Sequence, residues 1–144
     1  MLVQQILRSK GSETVITTRP DTTITDVARL LSEHRIGGVV VSSDGRKADG
    51  ILSERDIVRA LAARGPSCMT EPAKALMTPD PVCCGRDDTA DQVLGKMTEG
   101  RFRHMPVTDD GVLVGIVTIG DVVKAKLSEL SHEKTALEDM IMGR

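Results

Sequence analysis

The sequence predicts an α/β chain of the α+β kind: two β-α-β-β-α repeats packed about a pseudo-two-fold axis. Three observations lead there. The segment from Thr23 to Val41 returns as Thr89 to Val107, each position 66 residues on. Short β-branched runs alternate with amphipathic stretches of helical period. The 144 residues are 40% hydrophobic but hold a single aromatic, Phe102, so the core is aliphatic and each repeat alone is too small to bury much of it.

The elements follow in chain order. Val15-Ile16-Thr17 reads as a first strand, answered in the second repeat by Val82-Cys83-Cys84. Thr23 and Thr89 open the next helices, whose apolar stripes are Val27, Leu30, Leu31 and His34 in one and Val93, Leu94 and Met97 in the other. Gly38-Val39-Val40-Val41 and His104-Met105-Pro106-Val107 are strands, each turning at Asp-Gly (Asp44-Gly45, Asp110-Gly111) into a second strand that ends at Leu52 or Val117. The closing helices start at Ser53 and Thr118. The organisation expected is a first repeat over 8–64, a connector with a lead-in helix over 65–80, a second repeat over 81–130 and a helical extension over 131–144. In the last helix Val123, Leu127, Leu130, Leu137 and Ile141 recur at roughly heptad spacing, interrupted by Lys134. That stripe reads first as a helix packed along its own domain and second as the seam of a C₂ homodimer.

Composition narrows the function. With 19 basic and 21 acidic residues the formal net charge is -2, which gives no electrostatic footprint for nucleic acid or an anionic membrane. The lack of Trp and Tyr removes the stacking platforms of single-strand binders. No stretch has the apolar length of a signal peptide or a membrane span. Cys68, Cys83 and Cys84 are an odd set without C-x-x-C spacing, which suits a reducing compartment, and the expected location is the cytoplasm. His34, His104 and His132 lack metal-ligand spacing, so no metal is expected. G-x-x-x-x-G-K and G-x-G-x-x-G are both absent, so any phosphate would be met by side chains.

The polar feature that recurs is Gly-apolar-apolar-[Ser/Thr]-x-x-Asp: Ser53 with Asp56, and Thr118 with Asp121. A hydroxyl and a carboxylate three residues apart at a helix start face one side and can together hydrogen-bond a ribose diol, beside a helix N-terminus that favours anions. The same spelling is also a capping box, and Thr23-x-x-Asp26 carries it with no ligand assigned. Position separates the copies, since only Ser53 and Thr118 follow a Gly-apolar strand end facing the cleft between halves.

Gly50-Ile51-Leu52-Ser53-Glu54-Arg55-Asp56, Gly115-Ile116-Val117-Thr118-Ile119-Gly120-Asp121, Arg103-His104-Met105-Pro106-Val107 and the lead-in Leu76-Met77-Thr78 resemble a tandem pair of cystathionine β-synthase (CBS) domains, the Bateman module, over nearly the whole chain. The resemblance implies a stand-alone regulatory protein that binds an adenosine-containing ligand (AMP, ADP, ATP or NAD) between its repeats, senses energy or redox state, and acts on a separate effector protein, with no catalytic cofactor. It further implies that Asp56 and Asp121 hold ribose, that Thr17 lies near the nucleoside, and that Arg103 and His104 reach phosphates. The halves depart from each other here: Thr17 is answered by Cys83, and Arg103-His104 by Gly37-Gly38. The better-equipped site therefore pairs Ser53 and Asp56 with Arg103 or His104. The cleft at Thr118 and Asp121 faces glycines instead, which leaves three expectations open: it is empty, it binds a different adenosyl ligand, or it uses Arg19 or Arg55 for charge. Two other readings are a purely structural dimerisation module and a small thiol enzyme using Cys83, one thiol of the Cys83-Cys84 pair being core and the other facing the cleft.

Overall fold

A computed structural model describes residues 1–11 and 15–143. Its elements are α1 (Val3–Ser9), β1 (Thr17–Thr18), α2 (Ile24–His34), β2 (Gly38–Val41), β3 (Gly50–Ser53), α3 (Glu54–Arg64), α4 (Ala73–Leu76), β4 (Thr78–Pro79), α5 (Ala90–Gly100), β5 (His104–Asp109), β6 (Val112–Thr118) and α6 (Ile119–Ile141), with a 3₁₀ turn over Pro66–Thr70 between α3 and α4. One sheet runs β1-β2-β3-β4, parallel at β1/β2 and antiparallel after it; β5 and β6 form a hairpin. The predicted Asp110-Gly111 turn joins them, both residues at positive φ (50° and 77°) as a tight primed hairpin turn demands.

Period-two alternation sorts the strand side chains. Val39, Val41 and Leu52 turn into a core with Ile24, Val27, Leu31, Ile57 and Ala73. Met105, Val107 and Val117 do the same in the second half, with Val93, Met97, Val122 and Ala125. On the opposite faces, Val40 and Ile51 of the first half meet Leu113 and Ile116 of the second in a third apolar cluster that joins the halves.

Several expectations need correction. The first strand is Thr17–Thr18 rather than Val15–Thr17, and it is only as long as its parallel pairing with Val40 and Val41. Its counterpart at Val82–Cys84 shrinks to one parallel bridge, Cys84 to Val107, hemmed in by Pro81, which has no N–H for a ladder, and by Gly85. His34 is exposed at the end of α2, where a basic ring faces the negative helix terminus instead of the core. The stripe on α6 does not pack along its own domain: Val123, Leu127, Leu130, Leu137 and Ile141 are 44–84% exposed, and the helix is held by Val122 and Ala125.

Helix α1 has no counterpart among the predicted elements, and it crosses over. Val3 and Ile6 are buried in the core of the second half, whereas Ala73 of α4 is buried in that of the first. The docking bonds repeat pair by pair. Val3 N–H donates to the Asp88 carbonyl (2.9 Å), Gln4 N–H to Arg86 (3.0 Å) and Ala90 N–H to Met1 (2.9 Å); Ala73 donates to Thr22 (2.7 Å), Lys74 to Pro20 (3.0 Å) and Ile24 to Glu71 (2.9 Å). Each lead-in also seals against a strand glycine: a Cβ on Gly115 would lie 2.7 Å from Leu7, and one on Gly50 would collide with the Met77 sulfur.

Candidate functional site

Each repeated motif spans the end of a strand and the first turn of a helix. Ser53 ends β3 in extended conformation and is the N-cap of α3; its Oγ accepts from Asp56 N–H (3.3 Å), while Asp56 Oδ2 accepts from Ser53 N–H (2.8 Å) and Oγ (3.0 Å). Thr118 does the same for α6, with Asp121 N–H on Thr118 Oγ1 (3.1 Å) and Thr118 N–H on Asp121 Oδ2 (2.9 Å). Both are complete capping boxes. The Thr23 copy is not: Thr23 accepts from Asp26 N–H, but the Asp26 carboxylate turns outward to Arg29 at 3.0 Å. The reciprocal bond holds Asp56 and Asp121 upright at the sheet end and leaves Asp26 on the surface.

Strand register then brings the motifs together. Gly38 stands opposite Ser53 and His104 opposite Thr118 at equivalent ends of the two hairpins. The His104 ring covers Gly38, where an added Cβ would lie 2.9 Å from its Cδ2 and Nε2. Around this crossing opens a cleft of about 480 Å³, lined by Ser53, Asp56, Arg103, His104 and Thr118 among others. Ile51, Val82, Phe102 and Ile119 add apolar wall, and Arg55, Arg59 and Arg101 add cations. Such a cleft can hold a molecule with a flat apolar part, a diol and an anionic group. Burial holds the His104 imidazole below its ordinary 6.5, the carboxylates of Glu54 and Asp56 opposing that shift and Lys10 adding to it.

Thr17 and Asp121 do not line this cleft. Thr17 is half-buried in β1 beside Val40. Asp121 Oδ2 is 2.9 Å from Lys10 Nζ, which also donates to the Ile116 carbonyl at 2.9 Å. Thr118, expected in a cleft of its own with Asp121, instead joins the Ser53 and Asp56 side. A second cavity of about 700 Å³, lined by Arg8, Arg86, Leu7 and Leu113 among others, includes neither motif. Cys83 is not cleft-lining as expected; its thiol points back to the Pro81 carbonyl at 3.4 Å. Cys84 is buried, and desolvation pushes its thiol up to about 12, far from a thiolate at neutral pH. Sequence reasoning missed Thr78, Asp80, Val82, Phe102, Arg59 and Arg101 of the lining. The Leu76-Met77-Thr78 lead-in was the available signal for Thr78, because β4 pairs it with Ile51.

Comparison with known proteins agrees with this architecture. The profile of the CBS domain matches residues 6–63 and 73–128. The CBS-domain containing protein ATU1752 from Agrobacterium tumefaciens is 42% identical, superposes with a TM-score of 0.82, and is matched over 88% of this chain and 99% of its own. The CBS domain protein PAE2072 from Pyrobaculum aerophilum, solved in complex with AMP, is 27% identical with a TM-score of 0.77 over 92% of this chain and 99% of that one. The CBS domain pair of MJ0100, solved with 5′-methylthioadenosine and S-adenosyl-L-methionine, is 28% identical with a TM-score of 0.78 over 90% of this chain and 98% of that one. Two profile matches in tandem, each spanning one of the strand-to-helix motifs, establish that the chain belongs to the CBS domain family as a domain pair.

Proposed function

We propose that this protein is a nucleotide-sensing regulatory module that binds an adenine nucleotide (AMP, ADP, ATP or NAD) in the cleft between its halves and passes the bound state to a separate effector protein. One observation carries the reading: a single cleft gathers Ser53 and Asp56 from one half with Arg103, His104 and Thr118 from the other. The Asp56 carboxylate accepts the two ribose hydroxyls, Arg103 and His104 meet phosphate, and Ile51, Val82 and Phe102 flank the base. Thr17 and Asp121 take no part. The adenosine ligands named for PAE2072 and MJ0100 support an adenosyl class. A ligand that touches both halves favours the conformation in which they are closed, so the output is a population shift rather than a chemical step. The exposed apolar faces of α3 (Val58, Leu61) and α6 (Val123, Leu127, Leu130) suit a homodimer interface. The three free thiols suit a reducing compartment such as the cytoplasm, and no helix among the described residues is long and apolar enough to cross a membrane.

The test is calorimetric titration with AMP, with GMP as control, on the parent and Asp56→Ala. Losing a carboxylate that accepts two hydroxyls costs about 1.5–3 kcal/mol per bond, so AMP affinity falls by at least tenfold while circular dichroism stays native. Equal affinity in the two proteins reduces Asp56 to a helix cap and refutes the reading.

A further inference from the structure

The two capping boxes are alike, but their carboxylates are not equally available. Asp56 bonds its own N-cap through Oδ2, and among the described residues its outer oxygen has only the exposed Arg59 guanidinium, 3.8 Å away. Asp121 bonds its N-cap through Oδ2, and that same oxygen also carries the Lys10 ammonium at 2.9 Å, so the carboxylate is already paired with a cation at close range. That ammonium is fixed from two sides, since Lys10 Nζ donates to the Ile116 carbonyl one strand residue before Val117. The lead-ins explain why only one site is so filled. Lys10 lies three residues beyond Leu7, which seals on Gly115; the residue three beyond Met77, which seals on Gly50, is Asp80. The same place in the fold thus holds a cation at one junction and an anion at the other. Asp80 lines the open cleft and cannot pair with Asp56, whereas Lys10 closes on Asp121.

We propose that Lys10 is a built-in plug: its ammonium neutralises and crowds the carboxylate of the second junction, so each chain takes one nucleoside ligand, and removing this cation creates a second site. The proposal rests on the reading of Asp56 as a ribose acceptor, extended to its twin. A ribose arriving at Asp121 must disturb a close ion pair at 2.9 Å and a lysine held by two acceptors, whereas at Asp56 it meets a looser pair at 3.8 Å with the solvent-exposed Arg59. Because Gly37 and Gly38 stand where the first site has Arg103 and His104, the uncovered second site recognises the nucleoside part with little help from phosphate.

Equilibrium dialysis with radiolabelled AMP and, separately, adenosine measures ligands bound per chain. The parent and Lys10→Arg bind one; Lys10→Met binds two, the added site having similar affinity for adenosine and AMP; adding Asp121→Asn to Lys10→Met returns it to one. Asp121→Asn alone leaves the parent stoichiometry unchanged. Lys10→Gln serves as a second uncharged variant if Lys10→Met melts early. Two ligands per parent chain, one of them lost in Asp121→Asn, overturns the plug, as does a single site in both uncharged variants. If the parent binds none but Lys10→Met binds one that Asp121→Asn removes, the Asp56 reading fails and the plug stands. No binding by any variant refutes both.

Discussion

The contact between His104 and Gly38 allows a prediction whose sign reverses with background. In Gly38→Ala the new methyl would lie 2.9 Å from His104 Cδ2 and Nε2 and 3.0 Å from Cε1, a face-on approach to the ring. Ordinary contact needs about 3.5–4 Å, so the ring must retreat by roughly 0.5–1 Å out of a well-packed seat. Overpacking of this kind costs about 1–3 kcal/mol. Gly38 is not among the positive-φ glycines, so alanine also restricts the unfolded chain, which offsets about 0.4–1 kcal/mol. The net expectation is a loss of about 0.5–2 kcal/mol. With His104→Ala as background the obstacle is gone and only the entropic part remains, so the same Gly38→Ala substitution stabilises by about 0.4–1 kcal/mol. Urea unfolding of the four proteins of the cycle, read at the midpoint with unchanged slope, measures both steps. Additivity within about 0.5 kcal/mol would show that the ring does not rest on Gly38 and would refute the reasoning.

Two further predictions concern the same cleft and the outer helices. Since burial keeps His104 below its ordinary 6.5, the unfolded chain takes up the proton at a higher pH than the folded one; stability is therefore lost as pH falls from about 7 through 6.5, until the folded ring is itself protonated. The groups that set this balance are Glu54, Asp56 and Asp121, which favour the charged ring, and Lys10, which disfavours it; urea midpoints between about pH 7.5 and 5.5 should fall less in His104→Gln, and an equal fall would contradict the assignment. Leu127, 62% exposed on α6, contributes to the proposed dimer without supporting the monomer fold. Leu127→Glu should therefore reduce the sedimentation mass of the parent dimer to the 15.5 kDa of one chain at unchanged helicity, and a parent already at 15.5 kDa rules the dimer out.

The elements that the sequence makes legible are those whose pattern is local. The helix after Thr23, the Asp110-Gly111 turn and the caps at Ser53 and Thr118 each rest on a few consecutive residues, and each appears where its pattern puts it. Helix α1 escapes because seven residues with Val3, Ile6 and Leu7 apolar carry too short a period, and because its burial depends on Met105, Val107 and Val117 about a hundred positions away. The α6 stripe shows the opposite difficulty: periodicity marks an apolar face but does not say whether the chain's own body covers it. Of the site residues, Ser53, Asp56, Arg103 and His104 meet in one cleft, as expected, and Thr118 joins them there instead of staying with Asp121 in a cleft of its own. Thr17 and Asp121 stay out, and no motif announces the reason for Asp121, an ion pair with Lys10 that exists only once α1 crosses to the second half.

That crossing bears on how such a chain could arise. A lone repeat carrying its own lead-in would leave its core open and its helix without a seat, because each lead-in fits the other repeat. Two copies of one repeat, exchanging their first helices, would satisfy all three docking bonds on both sides at once. An ancestral half-length chain would therefore have been an intertwined pair from the outset, and joining the two genes would have replaced a concentration-dependent encounter with a tethered one. Within one chain the two equivalent places are free to differ, and Lys10 and Asp80 do, with opposite charges.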